Sequence, residues 1–194
     1  MLKSICIYCG SSPGARSEYR TAAQHLGRLL AARDLQLVYG GGKLGLMGVV
    51  ADAALEAGGR VVGVMPEHLI EKEIAHRGLT ELYSVSTMHE RKALMVDLSD
   101  AFIALPGGMG TLDEFFETVT WSQLGLHTKP CGFLNVEGYF DSLLRFLDDT
   151  VTERFVRAEH RVAILEDNNS ERLLDRLIEY RPVVVEKWLG LQAS

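Results

Sequence analysis

Cysteine is scarce in this chain: Cys6, Cys9 and Cys131 are the only three among 194 residues. A small odd number offers no disulfide framework. Cys6 and Cys9 have the C-x-x-C spacing, but they lie along and just past an apolar run with strand character. Three residues apart on a strand, their side chains point to opposite faces, so a redox pair is not expected. Long apolar runs are missing too. None approaches the ~20 residues that cross a bilayer. The opening "MLKSICIYCG" has only a short apolar stretch ending in glycine, unlike a secretory leader. Basic charge is in deficit, with 20 Lys+Arg against 26 Asp+Glu and a formal net charge of −6. No basic run is interleaved with aromatics, which argues against non-specific nucleic-acid binding through phosphate neutralisation. The six histidines show no zinc spacing, and "HERKA" is not H-E-x-x-H. No linker, repeat or low-complexity tract interrupts the chain. These absences predict a cytoplasmic protein with one domain over 1–194, no metal, no nucleic-acid partner and no membrane association.

What is present is an alternation of strand and helix patterns. Strands are predicted at 3–8, 35–40, 60–65, 81–87, 101–106, 131–136 and 161–166. Helices are predicted at 17–33 (with Ser17 as cap), 46–58, 88–100, 112–125, 139–155 and 170–180, while 67–80 is ambiguous and charged. The strands are continuous apolar runs such as "SICIY" and "RVVGVM" rather than alternating ones. That pattern marks a sheet buried on both faces, hence parallel. The fold class is α/β: a doubly wound, mostly parallel, Rossmann-like sheet with helices on both faces.

Glycines gather after three strands, in "CGSS" (9–12), "YGGGKLG" (39–45) and "LPGGMGT" (105–111). In open parallel sheets ligands bind beyond the carboxyl ends of the strands, so these corners should line one edge. "GGGKLG" has the G-x-G-x-x-G form, with Glu67 after the next strand, as in a dinucleotide site. It follows the second strand, however, and a tight turn with close helix–strand packing explains it as well. No G-K-[ST] follows at Walker A spacing. "PGGMGT" is the stronger signal: glycines let phosphate oxygens approach the backbone, and the next helix presents free N–H groups and its positive end. "TLDE" also reads as a T-x-x-E capping box, in which Thr111 caps the helix and Glu114 merely satisfies its end.

"STMHERKA" holds a second capping box, Thr87 with Glu90, which places Arg91 and Lys92 just inside a helix. Cations there oppose the helix dipole. A local rule broken without evident gain suggests function, and a solvated basic pair is the plainer alternative. If the strands preceding these two helices are neighbours, Arg91 and Glu114 converge over the glycine corner. On that reading Arg91→Ala costs activity without costing stability.

"PGGMGTLDE" together with the upstream "MHERK" resembles the Lonely-Guy family, the cytokinin riboside 5′-monophosphate phosphoribohydrolases. The family pattern P-G-G-x-G-T-x-x-E is met by Pro106, Gly107, Gly108, Gly110, Thr111 and Glu114. The likeness runs from "CIYCGSS" through "YGGGKLGLMG" and "WSQLGLHTKP" to about residue 180. It implies hydrolysis of the N-glycosidic bond of a nucleoside 5′-monophosphate, AMP or an N6-modified AMP, without a cofactor. It implies Arg91 and Glu114 as the catalytic pair. Substrate contacts carry over onto Glu73, Lys92, Gly107, Gly108, Met109, Gly110, Thr111, Leu112, Asp113 and Thr120. It also implies a homodimer with sites near the subunit interface. The chemistry suits the residues: a carboxylate near C1′ stabilises oxocarbenium character and orients water. Arginine stays protonated, so Arg91 is expected to clamp rather than to donate a proton. The competing readings are a non-catalytic nucleotide or cofactor carrier and a dinucleotide oxidoreductase. Apolar residues spread around the helix 112–125 suggest that it also meets another subunit.

Overall fold

The computed structural model describes residues 2–70 and 75–182. Its strands are β1 (Ser4–Tyr8), β2 (Gln36–Tyr39), β3 (Val61–Pro66), β4 (Glu81–Val85), β5 (Ala101–Ala104), β6 (Cys131–Leu134) and β7 (Ile164–Asp167). Between them lie α1 (Ser17–Ala32), α2 (Gly45–Glu56), α3 (Glu67–Ile70), α4 (Met88–Asp97), α5 (Met109–Gln123), α6 (Asp141–Thr152) and α7 (Ala158–Val162), with α8 (Ser170–Glu179) last. The strands form one seven-stranded sheet in the order β4-β3-β2-β1-β5-β6-β7, and every pairing is parallel. The doubly wound, Rossmann-like fold expected from the continuous apolar strands is the observed one.

Alternation along β1 divides the core in two. Ile5, Ile7 and Cys9 face one layer, with Leu26 and Leu30 of α1, Val50 of α2 and Leu173 of α8. Cys6 and Tyr8 face the other, with Met95 of α4, Phe115 of α5 and Leu144 of α6. Burying a side chain of this size contributes about 1.5–3 kcal/mol, so each face of the sheet holds its own helices. Cys6 and Cys9 thus lie on opposite sides of the sheet. Both are buried, and burial pushes both thiols well above their ordinary range. A run of aromatic contacts, Phe115–Phe133 at 4.1 Å and Phe133–Phe140 at 4.6 Å between ring centroids, seats α5 on β6.

Some boundaries differ from expectation. Ser17 does not cap α1; its hydroxyl bonds to Glu18, and Arg16 occupies the cap position without a side-chain bond. The stretch 161–166 is not all strand. Residues 158–162 turn into α7, within which Arg161 pairs with Asp148 and Glu166. The helix expected at 139–155 stops at Thr152, and Arg154 has φ +64, outside helical space.

Candidate active site

The chain builds β1 to β4 outward, then returns to lay β5 against the other side of β1. The crevice between β1 and β5 is therefore the topological switch point. The loops leaving these two strands are locked together: Gly10 N–H donates to Pro106 O at 3.1 Å. A Cβ on Gly107 would lie 2.1 Å from Thr111 Oγ1 and 2.8 Å from Gly10 N, so only glycine allows this approach.

All three glycine corners meet at this edge. They line a cavity of about 550 Å³ with Gly10, Gly40, Gly42, Gly108 and Gly110 among its walls. The two helices that could offer an anion site there are not equivalent. At α2 the N–H groups of Leu46 and Met47 are taken by Gly10 O, at 3.0 and 3.4 Å. At α5 the first helical bond is Leu112 N to Gly108 O, which leaves the N–H groups of Met109, Gly110 and Thr111 without an intrahelical acceptor. A Cβ on Gly108 or Gly110 would meet nothing within 4 Å. Packing does not demand glycine at either place, and both positions leave open space at the helix N-terminus.

Glu114 has a different job from helix capping. Helix α5 starts at Met109 with Gly108 as cap, so Thr111 is buried inside the first turn and the expected Thr111–Glu114 capping box does not form. Glu114 instead meets Arg91, Oε1 to Nη1 at 3.1 Å, with side chains only 13% and 10% exposed. At α4 the Thr87 cap does form, and the Glu90 carboxylate reaches back one residue beyond it. Thr87 Oγ1 accepts from Glu90 N at 3.1 Å, and Glu90 Oε2 accepts from Ser86 N at 2.8 Å.

Arg91 and Glu114 converge for a reason other than the one expected. Their preceding strands, β4 and β5, are not neighbours; β3, β2 and β1 lie between them. Helix α4 returns from the sheet edge and packs on β3 as well as β4. From there the Arg91 side chain runs along the strand ends. Nε donates to Val64 O at 3.0 Å and Nη2 to Gly40 O at 3.2 Å, which leaves Nη1 for Glu114. A Cβ on Gly40 would fall 1.7 Å from Nη2. The second glycine corner thus makes room for the guanidinium, not for a dinucleotide. Burial raises the Glu114 carboxyl above its usual range, and the Arg91 charge only partly offsets this.

The cavity collects Gly108, Met109, Gly110, Thr111, Asp113, Glu114 and Arg91. The remaining expected residues lie elsewhere. Gly107 lines an adjoining cavity of about 300 Å³ beside Ser12, Tyr19 and Tyr139. Leu112 packs against the core. Lys92 cross-links α4 to α5 through Glu117 at 2.9 Å and Asp113 at 3.3 Å. Burial opposes its charge, but these two bonds more than compensate and raise its pKa. Thr120 is exposed, and its hydroxyl donates to Phe116 O. Glu73 lies outside the described residues. Sequence reasoning missed the apolar wall made by Leu44, Met47, Met65, Leu69 and Met88. Its signal was a methionine or leucine beside each strand end, as in "GLMG", "VMP" and "TMHE".

Among solved structures, the chain resembles the molybdenum cofactor binding protein of Rippkaea orientalis (TM-score 0.69, 22% identity, 92% of this chain and 96% of that one). It also resembles the molybdenum cofactor carrier protein of Chlamydomonas reinhardtii (TM-score 0.69, 18% identity, 93% and 100%). These likenesses establish the fold. A family model described as "Possible lysine decarboxylase" matches residues 47–177. A probable cytokinin riboside 5′-monophosphate phosphoribohydrolase of rice, LOGL9, is 50% identical over 93% of this chain and 80% of its own length. The corresponding enzyme LOG2 of Arabidopsis thaliana is 49% identical over 93% and 84%. The chain belongs to the cytokinin riboside 5′-monophosphate phosphoribohydrolase family. A pyridoxal phosphate enzyme needs a lysine for its Schiff base. Among the described residues lining the cavity none is lysine, and Lys92 is committed to Glu117 and Asp113.

Proposed function

We propose that this chain hydrolyses the N-glycosidic bond of a nucleoside 5′-monophosphate, giving free base and ribose 5-phosphate. The observation that carries this reading is the buried Arg91–Glu114 pair in the wall of a cavity that also holds the open N-terminus of α5. The 5′-phosphate sits over Gly108, Met109 and Gly110, where N–H groups and the helix dipole receive it. Glu114 then faces C1′. As the bond to the base breaks with its electron pair leaving on the base, the carboxylate stabilises the oxocarbenium ion and orients water. Water supplies the hydroxyl that ends on C1′ and the proton that ends on the base. Arg91, fixed by two strand-end carbonyls, holds Glu114 in place and meets the departing base as a clamp. The wall of methionines and leucines receives the base and suits an apolar N6 substituent, in keeping with the substrates named for the relatives.

Phosphate recognition has a direct test. AMP is expected to be cleaved at least about tenfold faster than adenosine, because remote binding energy positions the ribose. Equal rates for the two, measured by base release, would remove "PGGMGT" from the phosphate role.

The chain works as one cytoplasmic domain and assembles as a homodimer. Much of the apolar surface on α5 packs against its own subunit: Phe115 and Val119 are buried, and Phe116 and Trp121 join the same core. What remains open lies at its ends, with Met109 85% exposed, Leu124 51% and Leu126 69%. A second copy covering this surface brings Thr120 toward the neighbouring cleft. Light scattering is expected to give twice the 21.5 kDa of one chain. A fully active monomer at micromolar concentration is the contrary result.

A further inference from the structure

The segment that joins α5 to β6 bonds three of the elements around the site. Its residues are neither in the cavity nor part of the phosphate loop. Lys129 Nζ donates to Val96 O, at the end of α4, at 2.8 Å. Lys129 N–H donates to His127 Nδ1 at 3.2 Å. His127 Nε2 then lies 3.0 Å from Thr118 O. A carbonyl only accepts, so Nε2 carries the proton and His127 is neutral here. The next residue, Pro130, accepts from Phe102 N of β5 at 3.0 Å, and the His127 ring lies 5.7 Å from that of Phe102.

One of these contacts falls within a turn of Glu114, and the other holds the far end of the helix that carries Arg91. Thr118 is one turn beyond Glu114, and its hydroxyl donates to Glu114 O at 2.9 Å while meeting Tyr8 Oη at 2.9 Å from below. Val96 lies on the same ten-residue helix as Arg91. The 3.1 Å contact of Arg91 with Glu114 joins two helices that no short loop connects, because β5 intervenes between them. Lys92 links the two helices beside Arg91, and the α5–β6 segment adds a second link farther along both; displacement of a reacting group by about 1 Å is enough to cost orders of magnitude in rate.

We infer that His127 and Lys129 are positioning residues for the reaction, forming a brace that sets the separation of α4 and α5 and thereby the Arg91–Glu114 geometry. The inference rests on the proposed glycosidase reading. The brace touches neither phosphate nor base, so it acts on turnover rather than on ground-state binding. It also governs how fully Arg91 offsets the burial of Glu114. The other charges facing that carboxylate are Asp113 and Glu117 of its own helix and Lys92 of α4; Cys6 and Tyr8 lie on the α5 side of β1 and Cys9 in the cavity wall at the strand end, all un-ionised because burial raises them.

Two variants test it. His127→Phe keeps a ring against Phe102 but removes both hydrogen bonds, and Lys129→Met keeps the stem without the ammonium. Each is expected to lower kcat for AMP about tenfold with KM within about twofold. In each, the acid limb of kcat is expected to move upward by about half a pH unit or more, since a loosened Arg91 offsets less of the burial of Glu114. His127→Gln retains one donor and one acceptor and is expected to restore most of kcat and the wild-type limb. Variants that fail to fold, or that lose thermal stability while kcat per folded molecule and the acid limb stay unchanged, would make the brace purely structural and overturn the inference. The wild type serves as the internal reference. If it releases no base, the glycosidase reading fails; if it is active and the variants match it, the brace alone fails.

Discussion

Glu114→Gln is expected to lower turnover of AMP by about 10²-fold or more while leaving the fold and most substrate binding intact. The amide keeps the shape of the side chain and can still accept a hydrogen bond from Arg91 Nη1, which lies 3.1 Å from the native carboxylate. It lacks the negative charge that the oxocarbenium ion requires. The pH profile of the native protein should report the same group. Burial raises the Glu114 pKa, so activity, which needs the carboxylate, should fall with decreasing pH above the usual carboxylate range. The sign for stability follows from the same shift. Because the folded-state pKa exceeds the unfolded one, the ionised side chain costs stability at neutral pH, and that cost is relieved as pH falls through the folded pKa. Kinetics across pH 4–8 on native and Gln forms, with circular dichroism to check the fold, separates a catalytic carboxylate from a helix-end one. Near-normal turnover with lost thermal stability would mark the latter.

Arg91→Ala is expected to reduce kcat/KM for AMP by about 10²-fold or more and to destabilise the fold by about 3–5 kcal/mol. The sequence alone suggested no loss of stability, because a cation early in a helix opposes its dipole. In the structure the residue is buried and bonded to Val64 O, Gly40 O and Glu114. Its removal strands two carbonyls and a buried carboxylate, which outweighs the few tenths of a kcal/mol regained from the dipole. Gly40→Ala approaches the same point from the opposite side. The new methyl would occupy the position of Nη2 and displace the guanidinium without deleting it. Activity is expected to fall with it. Denaturant melts and initial rates on both variants check the pair; wild-type kcat/KM in either would contradict the role given to Arg91.

The fold was legible because its strands are buried on both faces. "SICIY", "VVGVM" and "AFIA" are continuous apolar runs, and that alone marks a parallel sheet. The glycine corner was legible because "PGGMGT" follows an apolar strand and opens a helix, and the structure finds open space where a Cβ on Gly108 or Gly110 would lie. The start of α5 was not. "TLDE" is a sound capping box on paper, yet the Gly108 backbone admits the helix two residues before Thr111, and Thr111 then packs against Gly107. The sequence brings Arg91 to Glu114 only if β4 and β5 are neighbours, and they are not. Sheet order is a long-range property, and no residue near β4 reports that β3, β2 and β1 stand between it and β5. The length of the arginine side chain and the absence of a Cβ on Gly40 close the gap. The sequence sets Lys92 beside Arg91 as a basic pair; that Glu117 and Asp113 of α5 engage Lys92 depends on long-range placement that no local pattern reports.

This cavity is expected to break a glycosidic bond rather than merely hold a nucleotide. Incubation of the protein with AMP and, separately, with isopentenyladenosine monophosphate, followed by chromatography of the products, tests it most directly. Free base and ribose 5-phosphate are expected in equal amounts, with release lowered by about 10²-fold or more in Glu114→Gln. Nucleotide recovered intact after demonstrable binding would contradict it and leave a carrier in its place.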